Sequence, residues 1–506
     1  MQGIGKTAGR GALVLALWVS GVGGLSAQPA TQPAATSSAS PQVVAPMAAP
    51  EAEPALPTLP VPVATALRGT RLPGSALGIY VQEVGSNRPL LSVNADKAMS
   101  PASVMKLVTT YSALELLGPA FIWKTGIYET GIRHGDVLEG DLVLKGAGDP
   151  KLTQEDLAVG LRAVRARGIR EIHGNIVLDH SVFDASGYDA AKFDGDPMRA
   201  YNAGPDGLLV NFKAFALTFA PDEASATVTV SAEPRAAGLP IRNALTLVKG
   251  PCTDLKGPAL KTRIDPTGIS VSGTYALACG VKNLWLHPYE LTAAQYTGAV
   301  VRQLWSDAGG TLGGDVRDGL LSAGSRLVYE IESESLAETI RDINKYSNNV
   351  MARELFLGIS HELLRLPGSS DRSYRAIRTW LLDKKIGGDE LVMENGSGLS
   401  RIERIAPQTL GRMLVAAFRS PVMPEFMSSM PLVAYDGTMQ RRLRSKDVAG
   451  QAHIKTGTLN DVRSIAGYVL AASGKRYAVV FLINSPIAGG AQAVQDALLQ
   501  WVYSEG

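Results

Sequence analysis

Strand-like sequence at both ends of the folded part of this chain most constrains its architecture. Apolar runs lie at 76–81 and 90–93, and further runs lie at 451–458, 464–472 and 475–483. Helical patterns occupy much of the sequence between the two sets. We therefore expect one antiparallel sheet that is built from both chain ends and flanked by helices, which is an α+β domain.

Several helices are predicted between and after these strands. Ser100 is a good N-cap residue and Pro101 suits the first helical position, so a helix is expected over 101–117. Ser335 and Glu338 have the spacing of a capping box at the start of another. The remaining helices are predicted at 348–359, 373–386, 407–419 and 490–503.

The stretch from Asp141 to Gly319 has a different pattern. It mixes short strand candidates with many glycines and prolines, and it contains one clear helix near 154–167. We interpret residues 136–321 as an inserted mixed α/β module, possibly of two subdomains. The α+β domain is then discontinuous and consists of residues 63–135 and 322–506.

The N-terminus has the pattern of an export signal. A basic segment precedes an uncharged, mostly apolar run at 11–24, and small residues around Ala27 form a plausible cleavage site. We predict a signal peptide at 1–27, a Pro/Ala-rich extended linker at 28–62 and a mature protein that is periplasmic or secreted. The alternative is an uncleaved membrane anchor, although the apolar run is short for a bilayer span.

Composition argues against several classes of function. The net charge of +2 gives no reason to expect nucleic acid as a partner. Cys252 and Cys279 fit one disulfide in an exported chain, with two unpaired buried thiols as the alternative. A zinc-site pattern that begins at His361 fails because Arg365 occupies the second histidine position, so no metal or cofactor is predicted.

Ser103 and Lys106 form the strongest local pattern of reactive side chains. Their spacing of three puts Lys106 on the same helix face as Ser103, one turn further on. A serine hydroxyl is a weak nucleophile and needs a neighbouring base. Lysine can be that base when burial, the helix N-terminus or a second cation lowers its pKa. Taken alone, the pattern S-x-x-K occurs often by chance.

A second pattern, S-x-N, places Ser347 and Asn349 after the helix that begins near Ser335. A serine hydroxyl in this position can relay a proton to a leaving group. The Asn349 amide can hold a substrate carbonyl or the catalytic lysine. An ordinary loop between helices explains the isolated pattern equally well.

The third pattern is Lys455-Thr456-Gly457-Thr458 on a strand-like segment. Lys455 supplies positive charge for a substrate carboxylate, and Gly457 lets a substrate backbone approach closely. The Thr458 hydroxyl can bind that carboxylate, and its backbone N–H can donate to an oxyanion. A turn with a solvated lysine is the plain alternative.

The three patterns occur in the order known for class A β-lactamases and penicillin-binding proteins. From about Val63 to Tyr503 the chain resembles the D-alanyl-D-alanine carboxypeptidase/endopeptidase family, the class C low-molecular-mass penicillin-binding proteins. The long interval between Lys106 and Ser347 carries this resemblance, because the family has extra domains there. Further similar segments are Gly140–Leu142, Gly146–Pro150, Gly174–Ile176, Gly396–Arg401 and Asp436–Thr438.

The resemblance implies a fold and a set of roles. The fold is a transpeptidase/β-lactamase-like domain with a module inserted between the first two motifs. Ser103 is the acylated nucleophile and Lys106 its base, while Ser347 and Asn349 assist proton transfer and position the peptide. Lys455 and Thr458 bind the terminal carboxylate, and the backbone N–H groups of Ser103 and Thr458 form the oxyanion hole.

The resemblance also implies peptidoglycan stem peptides as substrate and β-lactams as covalent inhibitors. One departure is Asn395, where the family usually has aspartate before Gly-Ser-Gly-Leu. That position lies outside the core motifs, so the departure bears on the structure of the local loop.

Two alternative functions remain at this point. A β-lactamase or esterase would need a carboxylate that activates water, and Glu354, Glu362 and Glu390 are candidates without a supporting pattern. A non-catalytic wall-binding scaffold or sensor would have no need of all three of Ser103, Lys106 and Lys455. The sequence leaves open the balance of carboxypeptidase to endopeptidase activity and the oligomeric state.

Overall fold

The computed structural model describes residues 59–184, 187–255 and 257–506. The predicted signal peptide and nearly all of the predicted linker lie outside these residues. In the described part, the α-helices are α1 (Val61–Arg68), α2 (Lys106–Leu117), α3 (Gln154–Ala166), α4 (Ala293–Asp307), α5 (Leu336–Lys345), α6 (Asn349–Leu364), α7 (Ser370–Asp383), α8 (Pro407–Phe418), α9 (Met423–Ser429) and α10 (Gln492–Glu505).

The strands of the same residues belong to separate sheets. They are β1 (Leu77–Glu83), β2 (Pro89–Val93), β3 (Lys124–Glu129), β4 (Ile132–His134), β5 (Val137–Glu139), β6 (Leu142–Lys145), β7 (Glu171–Ile172), β8 (Ile176–Asp179), β9 (Phe215–Asp222), β10 (Thr227–Glu233), β11 (Ile241–Val248), β12 (Leu260–Asp265), β13 (Gly268–Ala276), β14 (Lys282–Leu286), β15 (Thr311–Leu312), β16 (Val316–Asp318), β17 (Arg326–Glu332), β18 (Ala452–Leu459), β19 (Val462–Leu470) and β20 (Arg476–Asn484).

Strands from both chain ends form one antiparallel sheet in the order β18-β19-β20-β1-β2, as the sequence predicts. Successive side chains of a strand point to opposite faces. On β20, Val480 and Leu482 pack with α8, whereas Val479 and Phe481 pack with α10. The sheet is therefore buried on both faces, and its flanking helices confirm the expected α+β class.

The segment that carries Ser103 differs from the predicted helix. Residues Ala102–Met105 form a 3₁₀ turn, and α2 begins at Lys106. No side chain caps this turn, and the backbone of Ser100 instead exchanges hydrogen bonds of 2.8 and 2.9 Å with the Asn484 side chain. Ala102 has a positive φ of 46°, which no continuous α-helix accommodates. The prediction that the helix starts at Pro101 is therefore wrong, because a 3₁₀ turn precedes the helix, which starts at Lys106.

The sheet pairing around residues 136–321 extends beyond the limits predicted for the inserted module. Strands β3 and β17 lie outside those limits, yet they belong to its sheet β16-β8-β6-β3-β17. Ile127 and Ile331 on these strands pack into the same hydrophobic cluster as Leu144 and Leu161. The shared core explains why the sheet extends to both flanking strands.

The module also contains sheets β15-β7-β5-β4, β10-β9-β14 and β11-β13-β12. Helix α4 packs with α3 and was not predicted, although Thr292 and Gln295 form a capping box at its start. Cys252 and Cys279 form the expected disulfide.

The N-terminal boundary of the folded chain differs slightly from prediction. Val61 and Pro62, assigned above to the linker, form the start of α1, because Val63 is buried against the cluster that contains α10. None of the helices in residues 59–184, 187–255 and 257–506 has the length and apolar character needed to cross a bilayer.

Candidate active site

Ser103 and Lys106 lie at the junction between the 3₁₀ turn and α2. The Nζ atom of Lys106 donates a hydrogen bond of 3.1 Å to the Oγ atom of Ser103. Ser103 is half-buried, whereas Lys106 is fully buried in the core beneath it. Ser103 therefore stays partly accessible while its neighbouring amine is removed from bulk water.

Lys106 has two further oxygen neighbours. Its Nζ lies 2.5 Å from Asn349 Oδ1 and 2.5 Å from the backbone carbonyl oxygen of Ser397. Burial lowers the pKa of Lys106 well below its usual range, and the positive charges of Lys455 and Arg353 act in the same direction. This environment favours the neutral amine, which can accept a proton.

Ser347 and Asn349 occupy the connection between α5 and α6. Ser347 has a positive φ of 59°, and this turn reverses the chain between the two helices. The Asn348 side chain caps α6 by accepting from Met351 N at 3.1 Å. Asn349 is thus fixed as the first residue of α6, where its amide oxygen meets Lys106.

Strand β18 brings Lys455 to Ser347. The Nζ atom of Lys455 donates to Ser347 Oγ and to the Thr456 carbonyl, each at 2.8 Å. Burial lowers the pKa of Lys455 to about 7. The second amine therefore changes charge near neutral pH while it contacts the second serine hydroxyl.

Gly457 allows β18 to lie against the turn that carries Ser103. A Cβ atom at Gly457 would stand 2.9 Å from Ser103 N and 2.2 Å from Ser464 Oγ. The Ser464 hydroxyl in turn donates to the Pro101 carbonyl at 2.6 Å. Glycine is required here for close backbone approach.

The two threonines of this motif differ in setting. Thr456 Oγ1 donates to Thr438 Oγ1 at 2.7 Å, which ties the Asp436–Thr438 segment to β18. Thr458 is exposed near the end of β18 and pairs with Arg463 across the ladder. Thus the structure places five side chains in two contact groups: Lys106 with Ser103 and Asn349, and Lys455 with Ser347.

Glu403 supports this site and was not singled out from the sequence. Its carboxylate is buried and accepts four backbone N–H groups, each at 2.9–3.0 Å, from Glu394, Asn395, Gly396 and Gly398. This fixes the loop whose Ser397 carbonyl meets Lys106. A lone glutamate in a loop gives no sequence signal, because its role depends on the path of the backbone around it.

Asn395 closes the same loop. Its Oδ1 accepts from Ser397 N at 3.0 Å and from Ser397 Oγ at 2.6 Å, while its Nδ2 donates to the Leu399 carbonyl at 3.0 Å. An ionised aspartate could make the first two bonds but not the third. The departure noted in the sequence is therefore accommodated by an additional hydrogen bond.

Replacing Glu403 by glutamine is expected to slow acylation of Ser103. The glutamine keeps the size but loses the negative charge and one acceptor oxygen, so some loop N–H groups lose their partner. A hydrogen bond to a charged group contributes about 1.5–3 kcal/mol. If the loss of one such bond raises the activation free energy of acylation by that amount, through the displaced Ser397 carbonyl at Lys106, the rate falls about ten- to a hundredfold. Stopped-flow acylation by a chromogenic β-lactam measures the effect.

Glu362→Gln is the matched control for this substitution. Glu362 pairs with Arg365 at the far end of α6, and such a surface ion pair contributes at most about 1 kcal/mol to stability. The control should acylate at the wild-type rate. A wild-type rate for the Glu403 variant as well would contradict the role of Glu403.

The candidate water-activating carboxylates have other partners. Glu354 accepts from Asp206 N at 2.8 Å, Glu362 pairs with Arg365, and Glu390 accepts from Thr409 Oγ1 at 2.5 Å. Within the described part of the chain, no group of histidine, cysteine or acidic residues has the arrangement of a metal site.

Comparisons with known proteins cover the whole region that contains these residues. The family model described as the D-Ala-D-Ala carboxypeptidase 3 (S13) family matches residues 61–504. A D-alanyl-D-alanine carboxypeptidase of Actinomadura sp. (strain R39) is 29% identical over 456 residues, covering 85% of this chain and 82% of that protein. The D-alanyl-D-alanine carboxypeptidase DacB of Haemophilus influenzae is 24% identical over 419 residues, covering 82% of this chain and 87% of that protein.

Solved structures share the fold. The crystal structure of penicillin binding protein 4 (dacB) from Haemophilus influenzae has a TM-score of 0.73 at 22% identity and covers 87% of this chain and 99% of its own. The same protein complexed with a β-lactam has a TM-score of 0.70 at 22% identity and covers 88% of this chain and 100% of its own. The likeness therefore extends over both the sheet built from the chain ends and the inserted module.

Proposed function

Because this chain belongs to the D-Ala-D-Ala carboxypeptidase 3 (S13) family, we propose that Ser103 is the nucleophile with which it cleaves peptidoglycan stem peptides. The protein is a serine-type D-alanyl-D-alanine carboxypeptidase, a peptidase of the penicillin-binding class. Release of a terminal D-Ala gives carboxypeptidase activity. Release of a cross-linked stem peptide by the same chemistry gives endopeptidase activity.

In the acylation step, Lys106 Nζ accepts the Ser103 hydroxyl proton as Oγ bonds to the carbonyl carbon of the scissile peptide. The contact of 3.1 Å between these atoms supports this direct transfer. Negative charge develops on the carbonyl oxygen, and the backbone N–H groups of Ser103 and Thr458 donate to it. Asn349 holds the amine of Lys106 in line with Ser103.

Collapse of this intermediate breaks the carbon–nitrogen bond. The proton held by Lys106 returns to the departing nitrogen through Ser347 Oγ, which gives a free amine and an ester on Ser103. Water then adds to the ester carbon, Ser103 Oγ leaves with a proton, and the shortened peptide is released as a carboxylic acid. Lys455, with Thr456, Gly457 and Thr458, binds the substrate's terminal carboxylate.

The observation that carries this proposal is two sets of contacts: Lys106 Nζ with Ser103 Oγ and Asn349 Oδ1, and Lys455 Nζ with Ser347 Oγ. Three segments that are far apart in sequence supply these residues. A scaffold without turnover would gain nothing from two buried lysines, because burying an amine costs free energy unless a function uses it. The geometry therefore favours an enzyme over a wall-binding scaffold.

Intact-protein mass spectrometry after exposure to benzylpenicillin tests the assignment. We expect one adduct with the mass of the whole antibiotic, because its ring opens without loss of atoms, and peptide mapping should place the adduct on Ser103. The untreated enzyme should release D-Ala from a stem pentapeptide and cleave a cross-linked muropeptide dimer. An adduct on a different serine would refute the proposal.

The β-lactamase alternative predicts rapid loss of that adduct. Glu354, Glu362 and Glu390 each bond to another part of the chain, so a carboxylate-activated water on Ser103 has no support from them. We therefore propose slow release of the penicilloyl group. We further propose export by the segment 1–27 and action in the periplasm or outside the cell.

A further inference from the structure

The inserted module contains a large cavity, here called the module cavity, of about 1110 Å³. It opens where the parallel strands β6, β8 and β16 end: His180 directly follows β8 and Asp318 ends β16. The carboxyl ends of parallel strands form a crevice that commonly binds ligands. The mechanism proposed above uses none of the residues in this cavity.

The module cavity adjoins the loop that positions Lys106. It shares Tyr188, Asp189 and Pro205 with a smaller cavity of about 330 Å³, whose lining includes Asn395 and Ser400. The Ser397 carbonyl of that same loop contacts Lys106. The two adjoining cavities therefore reach from the module to the loop whose Ser397 carbonyl contacts Lys106.

A strained turn presents Lys213 to the module cavity. Asn211, Phe212 and Lys213 have positive φ values of 49°, 57° and 47°, and successive non-glycine residues in this region are costly. The turn is held by a bond of 2.9 Å from Asn211 N to the Leu152 carbonyl and by one of 3.0 Å between the Lys213 carbonyl and His287 Nδ1. Such strain persists where the surrounding structure fixes it, and it is concentrated at ligand sites.

The charge of Lys213 is not neutralised by a salt bridge within the described residues. Its acidic neighbour Asp206 is already bonded to His180 Nδ1 and to Leu208 N. His180 in turn lies with Nε2 3.3 Å from Asp318 Oδ1. Asp206 and Asp318 are thus engaged with His180, and Asp189, which also lines the cavity, accepts from Ala191 N at 2.8 Å, so the amine of Lys213 is left to meet an anion.

We propose that the module cavity binds a free carboxylate on the second peptide strand of a cross-linked peptidoglycan fragment, with Lys213 as its cationic partner. This inference rests on the proposed function, because it names the part of the substrate that lies beyond the strand attached to Ser103. Tyr289 and Asp189 line the same cavity and offer hydrogen bonds to peptide groups. The module then selects cross-linked substrates over short ones.

Lys213→Met tests the inference through a comparison of two substrates. Loss of one charge-assisted contact should lower kcat/KM for a cross-linked muropeptide dimer about tenfold. The value for an acylated D-Ala-D-Ala tripeptide and the rate of acylation by benzylpenicillin should stay unchanged, which also shows that the variant folds. Lys213→Arg should retain the dimer activity, and Lys282→Met, on an exposed strand of the same module, is the matched control.

Binding can be measured without turnover by titrating the dimer into enzyme whose Ser103 already carries the penicilloyl group. Wild type should bind and Lys213→Met should bind about tenfold more weakly. Equal losses on both substrates, or no loss on the dimer, would overturn the inference. A loss with Tyr289→Ala but not with Lys213→Met would also overturn it, because the cavity would then bind the dimer without its cationic partner.

Failure of the proposed function is distinguishable from failure of this inference. Ser103→Ala should abolish turnover of both substrates, whatever the module cavity binds. If Ser103→Ala is inactive and Lys213→Met equals wild type on the dimer, the catalytic assignment stands and the module inference falls.

Discussion

Ser103→Ala is expected to lower kcat for a stem pentapeptide by about 10⁵- to 10⁶-fold, the scale seen when a serine nucleophile is removed. No acyl-enzyme can form, because alanine has no oxygen to bond to the carbonyl carbon. KM should change little, because the carboxylate-binding groups of β18 remain. The residual rate is measured by chromatographic detection of released D-Ala over several hours. Mass spectrometry should find no penicilloyl adduct on the variant.

Ser112→Ala is the matched control for this loss. Ser112 also lies on the segment formed by the 3₁₀ turn and α2, and its buried hydroxyl donates to the Thr109 carbonyl at 3.0 Å. Its removal should cost about 1 kcal/mol of unfolding free energy and leave kcat unchanged. If Ser103→Ala retained more than a few per cent of wild-type turnover, another residue would have to be the nucleophile.

Lys106→Arg is expected to slow acylation by about a thousand- to ten-thousandfold, at the upper end of the effect of a general base. Arginine keeps the positive charge but stays protonated, so it cannot take the Ser103 proton. Lys106→Met removes the amine altogether and should be equally slow. Stopped-flow acylation by a chromogenic β-lactam measures both variants, and a wild-type rate in Lys106→Arg would exclude Lys106 as the base.

The pH dependence of acylation in the wild type should be bell-shaped. The lowered pKa of Lys106 favours its neutral amine, and activity falls as the pH drops and this base is protonated. Burial lowers the pKa of Lys455 to about 7, so the cation that we propose for the substrate carboxylate is lost as the pH rises above that value. The apparent pKa values of the two limbs belong to the interacting pair of lysines, because a positive charge on one amine makes protonation of the other less favourable.

The acidic limb distinguishes this arrangement from a purely structural role of Lys106. Lys106→Met should lose the acidic limb together with most of the rate, whereas Glu403→Gln should retain a bell shape at a lower maximum. A profile in wild type that rises steadily to high pH would contradict a carboxylate-binding cation at Lys455.

Local sequence was sufficient for much of the fold. Apolar runs and turn signals located the five-stranded sheet, because an apolar run between turn residues is a property of neighbouring residues. The capping box at Ser335 and the proline at the start of α8 marked helix starts correctly for the same reason. The disulfide between Cys252 and Cys279 was the favoured prediction for two cysteines in a chain with an expected export signal, and the structure contains it.

Predictions that depended on packing were less accurate. The helix predicted to contain Ser103 starts only at Lys106. The backbone at Ala102 packs closely against Gly398, because a Cβ atom on Gly398 would stand 1.8 Å from the Ala102 carbonyl oxygen. The sheet pairing extends beyond the predicted module, because β3 and β17 pair with each other across almost two hundred residues of chain. Neither contact is visible in a local window of sequence.

The sequence by itself determined which residue types stand at 103, 106, 347, 349 and 455, and in what order, because the motifs are short and local. Only the tertiary structure decided that Lys106 meets Asn349 and the Ser397 carbonyl, that Lys455 meets Ser347, and that Glu403 holds the loop between them. The physical reason is that the proton affinity of a lysine depends on burial and on neighbouring charges, and those arise only when distant segments pack together.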